Sequence, residues 1–193
     1  MSNMKSYETP YKVASRLVPL LDDAINKLEA ALLFEETYPN RVALKRENDW
    51  YALAHSAILE SLLLDIASFT DNAKHGKDNT NCNFKELKYV LENSGNNTQQ
   101  FKSLIGEIDS FLNGYNNIVP AVLRNKILAH RDIEELFSGN TYPINYIEIT
   151  RFLIEGYNIT SNVYKAMIGA GIPIPDFNVI KKKYKDSMKI PLK

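Results

Sequence analysis

The chain has 193 residues, and its 23 Lys and Arg residues balance 23 Asp and Glu residues, so the formal net charge is zero. Hydrophobic residues make up 45% and charged residues 24%, which is typical of one folded domain and excludes intrinsic disorder. Zero net charge excludes binding of nucleic acid mainly through bulk positive potential, although it allows a small basic pocket. The single cysteine, Cys82, excludes an intramolecular disulfide and a zinc site built from several cysteines.

The N-terminal segment MSNMKSYETPYK lacks the apolar core of a signal peptide, and no uninterrupted run approaches the roughly 18 apolar residues that span a bilayer. A lone thiol suits a reducing compartment. We therefore expect a cytoplasmic protein without a membrane-spanning segment.

Apolar residues at helical spacing recur along most of the chain, and no alternating run predicts a strand. The pattern predicts one all-α domain over 1–193, an up-and-down bundle with its core at about 10–168 and an additional C-terminal helix and basic tail at 176–193. The expected helices cover about 10–38, 46–69, 84–92, 98–115, 120–137 and 143–168, followed by a short one from 176.

Several positions carry specific expectations. Pro19 should kink the first helix or begin a new one, because proline lacks the N–H that the helix needs. Asn83, three residues before Glu86, resembles an N-cap. The second helix is apolar on most sides, which is typical of a helix central in a bundle or buried at a subunit contact. His55 on this helix is interpreted as a core or interface histidine rather than a ligand.

Common catalytic motifs are absent from the sequence, including a phosphate-binding glycine loop, a nucleophile elbow and an H-E-x-x-H zinc helix. One polar cluster stands out in an otherwise apolar helix, within nine residues. A helix enclosed on several sides holds so many charged groups only where they pair with one another or line a cleft. The cluster comprises Arg124, Asn125, Lys126, His130, Arg131 and Asp132.

These residue types suit RNA cleavage without a metal. Histidine as a residue type titrates near neutral pH, so His130 can remove the proton of a 2′-hydroxyl or protonate the departing 5′-oxygen. Arg124 offers a permanent charge and a planar fork for phosphate oxygens. Asn125 can orient the phosphate or fix the imidazole tautomer. In one ideal helix Arg124 and His130 lie about 120° apart and about 9 Å along the axis, so a two-fold dimer would be one way to bring the two types of side chain into a single cleft.

The string Leu-Arg-Asn-Lys-Ile-Leu-Ala-His-Arg-Asp over 123–132 matches the R-x(4–6)-H signature of HEPN domains, in the form where Asn follows the Arg. Together with the helical order and the polar segment behind the second helix, the chain resembles the HEPN proteins related to the type-U abortive-infection system of phage resistance.

The resemblance implies an all-α HEPN-like bundle that forms a homodimer, with the two motifs meeting at the interface. It further implies a metal-independent endoribonuclease that needs no cofactor, acts as a toxin or phage-defence effector on an RNA substrate, and is paired in some systems with a nucleotidyltransferase antitoxin. Carried over by position, Arg124 and His130 would be catalytic and Asn125 the accessory polar residue. Lys126, Arg131 and Asp132 would have supporting or RNA-binding roles.

Two other interpretations stay open. The motif could be a structural cluster, with Arg124 paired to Asp132 or Glu134, in a non-catalytic HEPN-like module that binds a partner such as a nucleotidyltransferase. The chain could also be an unrelated helical protein.

Overall fold

A computed structural model describes residues 9–39, 50–71, 82–96, 98–115, 118–119, 145–169, 171 and 173. Within these ranges the chain forms helices and no strand, which confirms the all-α prediction. The helices are α1 (Pro10–Thr37), α2 (Trp50–Thr70), α3 (Phe84–Glu92), α4 (Gln99–Gly114) and α5 (Tyr146–Ile168).

Helix α1 passes through Pro19 without ending, so the expectation of a new helix at this position is wrong. The side chains of Leu17 and Leu21 are fully buried on either side of it. Burial of this apolar stripe offsets the hydrogen bond that proline removes from a helix. The helices predicted over 120–137 and from 176 lie outside the described residues.

The described residues divide into two compact units. Those of the first unit lie within 1–21, 67–116 and 151–174, and those of the second within 22–66 and 117–150. The prediction of a single domain over 1–193 stays a prediction.

A cluster of phenylalanines forms the centre of the first unit. The ring centroids of Phe84 and Phe111 are 4.7 Å apart, and those of Phe111 and Phe152 are 4.8 Å apart. Such offset and tilted ring pairs add to the free energy of burial. Gly156 of α5 lies against this cluster, and a Cβ atom at its position would come within 3.0 Å of the Phe84 ring.

Asn83 joins the end of α2 to the start of α3. Its side-chain oxygen accepts a hydrogen bond from the backbone N–H of Glu86 at 2.9 Å, which confirms the predicted N-cap. Its amide nitrogen donates to the carbonyl oxygen of Asp71 at 3.1 Å. Because Asn83 is fully buried, both hydrogen bonds satisfy groups that would otherwise be costly to bury.

In the second unit, Lys27 of α1 binds two carboxylates. Its ammonium lies 2.6 Å from Asp65 of α2 and 2.7 Å from Asp23, one turn earlier on α1. Burial raises the pKa of Asp65, and the Lys27 charge lowers that pKa only in part. Burial also opposes the charge on Lys27, but its hydrogen bonds to Asp23 and Asp65 leave its pKa above the ordinary value.

Among the described helices, α2 alone is long and apolar enough to cross a membrane, judged by length and composition. The core helix of a soluble protein meets the same criterion, so this property does not locate the protein in the cell. Leu62 and Ile66 of α2 are fully buried, whereas Trp50 and Leu53 at its N-terminal end are exposed.

The two helical glycines Gly156 and Gly106 should respond oppositely to alanine. Gly106 has open space around its Cα, so Gly106→Ala should raise the free energy of unfolding by about 0.5–1 kcal/mol through helix propensity. Gly156→Ala forces a methyl group against the Phe84 ring and should lower it by about 1–3 kcal/mol. Urea denaturation measures both values. A gain at both positions would contradict the close packing of α5 on Phe84.

The two carboxylates of Lys27 should also contribute unequally. Asp65→Ala leaves a half-buried ammonium with only one acid, and it should lower the free energy of unfolding by about 1–3 kcal/mol. Asp23→Ala removes an exposed pair one turn away and should lower it by about 0.3–0.5 kcal/mol. The midpoints of denaturant unfolding check the difference, and equal losses would show that burial does not set the strength of these pairs.

Candidate functional site

The residues that sequence motifs nominate for catalysis fall outside the part of the chain that the structure describes. They are Arg124, Asn125, Lys126, His130, Arg131 and Asp132.

Within the second unit, three polar side chains from α1, α2 and α5 lie close together. Glu35 lies in the last turn of α1, and Tyr146 is the first residue of α5. The Tyr146 hydroxyl donates a hydrogen bond of 2.6 Å to Oε1 of Glu35. The same oxygen lies 3.5 Å from Nε2 of His55. One carboxylate oxygen therefore accepts the hydrogen bond of a phenol and lies near a buried imidazole.

His55 is buried, with 5% of its surface exposed, as the sequence predicts for a core histidine. The Phe34 ring lies 6.3 Å from the imidazole, centroid to centroid. The sequence did not reveal Glu35 and Tyr146 as its neighbours. Glu35 and His55 are 20 positions apart, and Tyr146 comes from a third helix, so no local spacing joins them.

The surroundings of Tyr146 keep the proton on its hydroxyl group. Burial, the hydrogen bond to Glu35 and the charge of that carboxylate all raise the pKa of Tyr146 far above its ordinary value. Tyr146 is therefore a neutral hydrogen-bond donor near neutral pH, and it cannot act there as a base.

Aromatic rings surround this polar group. Phe34 is buried beneath Trp50, with ring centroids 6.5 Å apart and planes 29° apart. Tyr51 contacts Trp50 edge-on at 5.0 Å and lies 4.1 Å from Tyr38. Trp50 stays exposed although it packs on these rings, whereas Phe34 is buried.

A metal site is not evident in the described ranges, because no three His, Cys, Asp or Glu side chains gather there. The arrangement of Glu35, His55 and Tyr146 offers acid–base and hydrogen-bonding groups instead.

Comparison with known proteins places the chain in a family. No curated protein and no solved structure matches it. A sequence model of the AbiU2 family, within the HEPN group, matches residues 13–189, a region that includes the cluster at 124–132. Because the match covers nearly the whole chain, the protein belongs to the AbiU2 family of HEPN-like abortive-infection proteins.

Proposed function

We propose that this protein is a metal-independent endoribonuclease that acts as a toxin or phage-defence effector. One observation carries the proposal: Arg124 and His130 stand at the spacing of the HEPN ribonuclease motif, inside the region that the family model matches. Asn125 directly follows the arginine, as in one form of that motif.

The proposed reaction is an internal attack. The 2′-oxygen of a ribose bonds to the adjacent phosphorus as its proton passes to a base, and the bond from phosphorus to the 5′-oxygen breaks as that oxygen takes a proton. The products are a 2′,3′-cyclic phosphate and a 5′-hydroxyl. His130 moves the proton, because an imidazole is both a competent base and, when charged, a competent acid near neutral pH.

Charge develops on the phosphoryl oxygens during this attack. Arg124 stabilises it through a guanidinium that remains charged at all physiological pH values and matches two oxygens at once. Asn125 orients the phosphate or the imidazole. Lys126, Arg131 and Asp132 have supporting or RNA-binding roles in the proposal.

The two proton transfers need a neutral imidazole as base and a charged imidazole as acid, or one imidazole that acts first as base and then as acid. A homodimer with a shared cleft would supply one His130 from each subunit, and it would also relieve the angular separation of Arg124 and His130 on one helix. We therefore propose a cytoplasmic homodimer, in which a nucleotidyltransferase-type antitoxin is a candidate partner.

Net neutrality bears on how such an enzyme selects RNA. Twenty-three basic residues against 23 acidic ones provide no general attraction to phosphate. Recognition would depend on local contacts, on the shape of unpaired RNA or on a partner protein.

The central test is cleavage of mixed RNA by purified protein in excess chelator. His130→Ala should lower the rate by about 10²–10⁴-fold, because it removes the acid–base group. Arg124→Ala should lower it by about 10²–10³-fold through lost charge stabilisation. The 3′ ends of the fragments should carry cyclic phosphates.

His75→Ala is the matched control, since it removes a histidine from the polar segment and should leave the rate unchanged. Intact RNA after incubation with folded, dimeric protein would favour a non-catalytic binding module. Cleavage that requires an added metal would contradict the proposed mechanism.

Expression in growing cells gives a second test. The unaltered chain should arrest growth, whereas Arg124→Ala should relieve the arrest while the fold and the oligomeric state are retained. Colony counts measure the effect, and circular dichroism with analytical ultracentrifugation checks the variant. Equal growth arrest by both proteins would show that toxicity does not depend on the Arg124 motif.

A further inference from the structure

Trp50 is unusual in being a large aromatic residue with 58% of its surface exposed. It is the first residue of α2, and it is the only tryptophan in the chain. Burial of an indole ring would stabilise the protein by removing a large apolar surface from water. Its exposure leaves much of the ring surface available for contact with another molecule.

Neighbouring aromatic rings pack against Trp50. Phe34 has only 5% of its surface exposed and lies nearly parallel to the indole, at 29°. Tyr51 contacts the indole at 71°, and Tyr38 lies 4.1 Å from Tyr51 at an angle of 30°. These contacts restrict rotation of Trp50, so less conformational entropy is lost when a flat partner stacks on it.

The polar side chains of the same junction indicate which part of RNA would approach. Glu35 keeps 40% of its side chain exposed, and its carboxylate belongs to the contact network of Phe34 and His55. A carboxylate repels phosphate, but it accepts hydrogen bonds from the amino groups of bases. Glu35 directly follows Phe34, whose ring packs on Trp50, and its acceptor oxygens suit the amino groups of a base better than the sugar–phosphate backbone.

We propose that the exposed face of Trp50 is a stacking subsite for one unpaired base of single-stranded RNA. The choice of RNA as occupant rests on the proposed ribonuclease function, while the stacking surface rests on the ring geometry. Bases stack on aromatic side chains with little sequence preference, since every base has a π-face. Such a subsite gives a chain of zero net charge a way to hold RNA that does not depend on positive potential.

The single tryptophan makes the test direct. A single-stranded oligonucleotide of about ten nucleotides with 2′-O-methyl groups binds without being cleaved, because its 2′-oxygen cannot attack. Titrating it into the full-length protein should quench the emission of Trp50 in a saturable manner. Fluorescence anisotropy of a labelled copy gives the affinity independently.

Trp50→Ala should weaken binding of this oligonucleotide by between about 5-fold and 150-fold, which corresponds to the loss of one stacked base. Trp50→Phe keeps an aromatic face and should retain most of the affinity. Leu53→Ala is the control: Leu53 is also apolar and exposed, three residues further along α2, and its loss should leave the affinity unchanged. Urea denaturation verifies that each variant is folded.

Unchanged affinity in Trp50→Ala, or no quenching on saturation, would overturn the proposal. A change of oligomeric state in both Trp50→Ala and Leu53→Ala, without a specific loss of RNA binding, would instead assign this surface to a protein contact. Because the oligonucleotide cannot be cleaved, its affinity tests the stacking subsite alone. Failure of the ribonuclease is read separately, from cleavage of unmodified RNA.

Discussion

The buried ring of Phe34 is the contact on which the junction of α1 and α2 depends. It touches Trp50 and Tyr51 from the first turn of α2 and His55 from the second. Because these residues sit on one helix within two turns, a single buried ring packs near both an exposed indole and a buried imidazole.

The same two helices carry charged groups where water is partly excluded. Lys27 of α1 pairs with Asp65 of α2, and Glu35 accepts a hydrogen bond from the hydroxyl of Tyr146. Each half-buried charge therefore has a partner with opposite or donating character, as burial requires. The Lys27 group joins α1 to α2, whereas Glu35 lies beside the buried His55 and accepts the hydrogen bond of Tyr146.

The balance of charges in the chain limits how it could bind RNA. A protein without net positive charge cannot gather RNA from a distance, so specific contacts must provide the affinity. A guanidinium and an imidazole at the motif would act on the phosphate, and a stacking ring would hold a base. The motif lies inside the region that the AbiU2 family model matches.

The sequence by itself determined the helical fold, the bounds of α3, the cap at Asn83 and the family, because each depends on local spacing or on a short string of residues. It nominated Arg124 and His130 for the same reason. Only the tertiary structure decided that Pro19 lies within a continuous helix and that Glu35, His55 and Tyr146 meet. These outcomes arise from packing between residues far apart in the chain, and neither helix propensity nor motif spacing encodes such contacts.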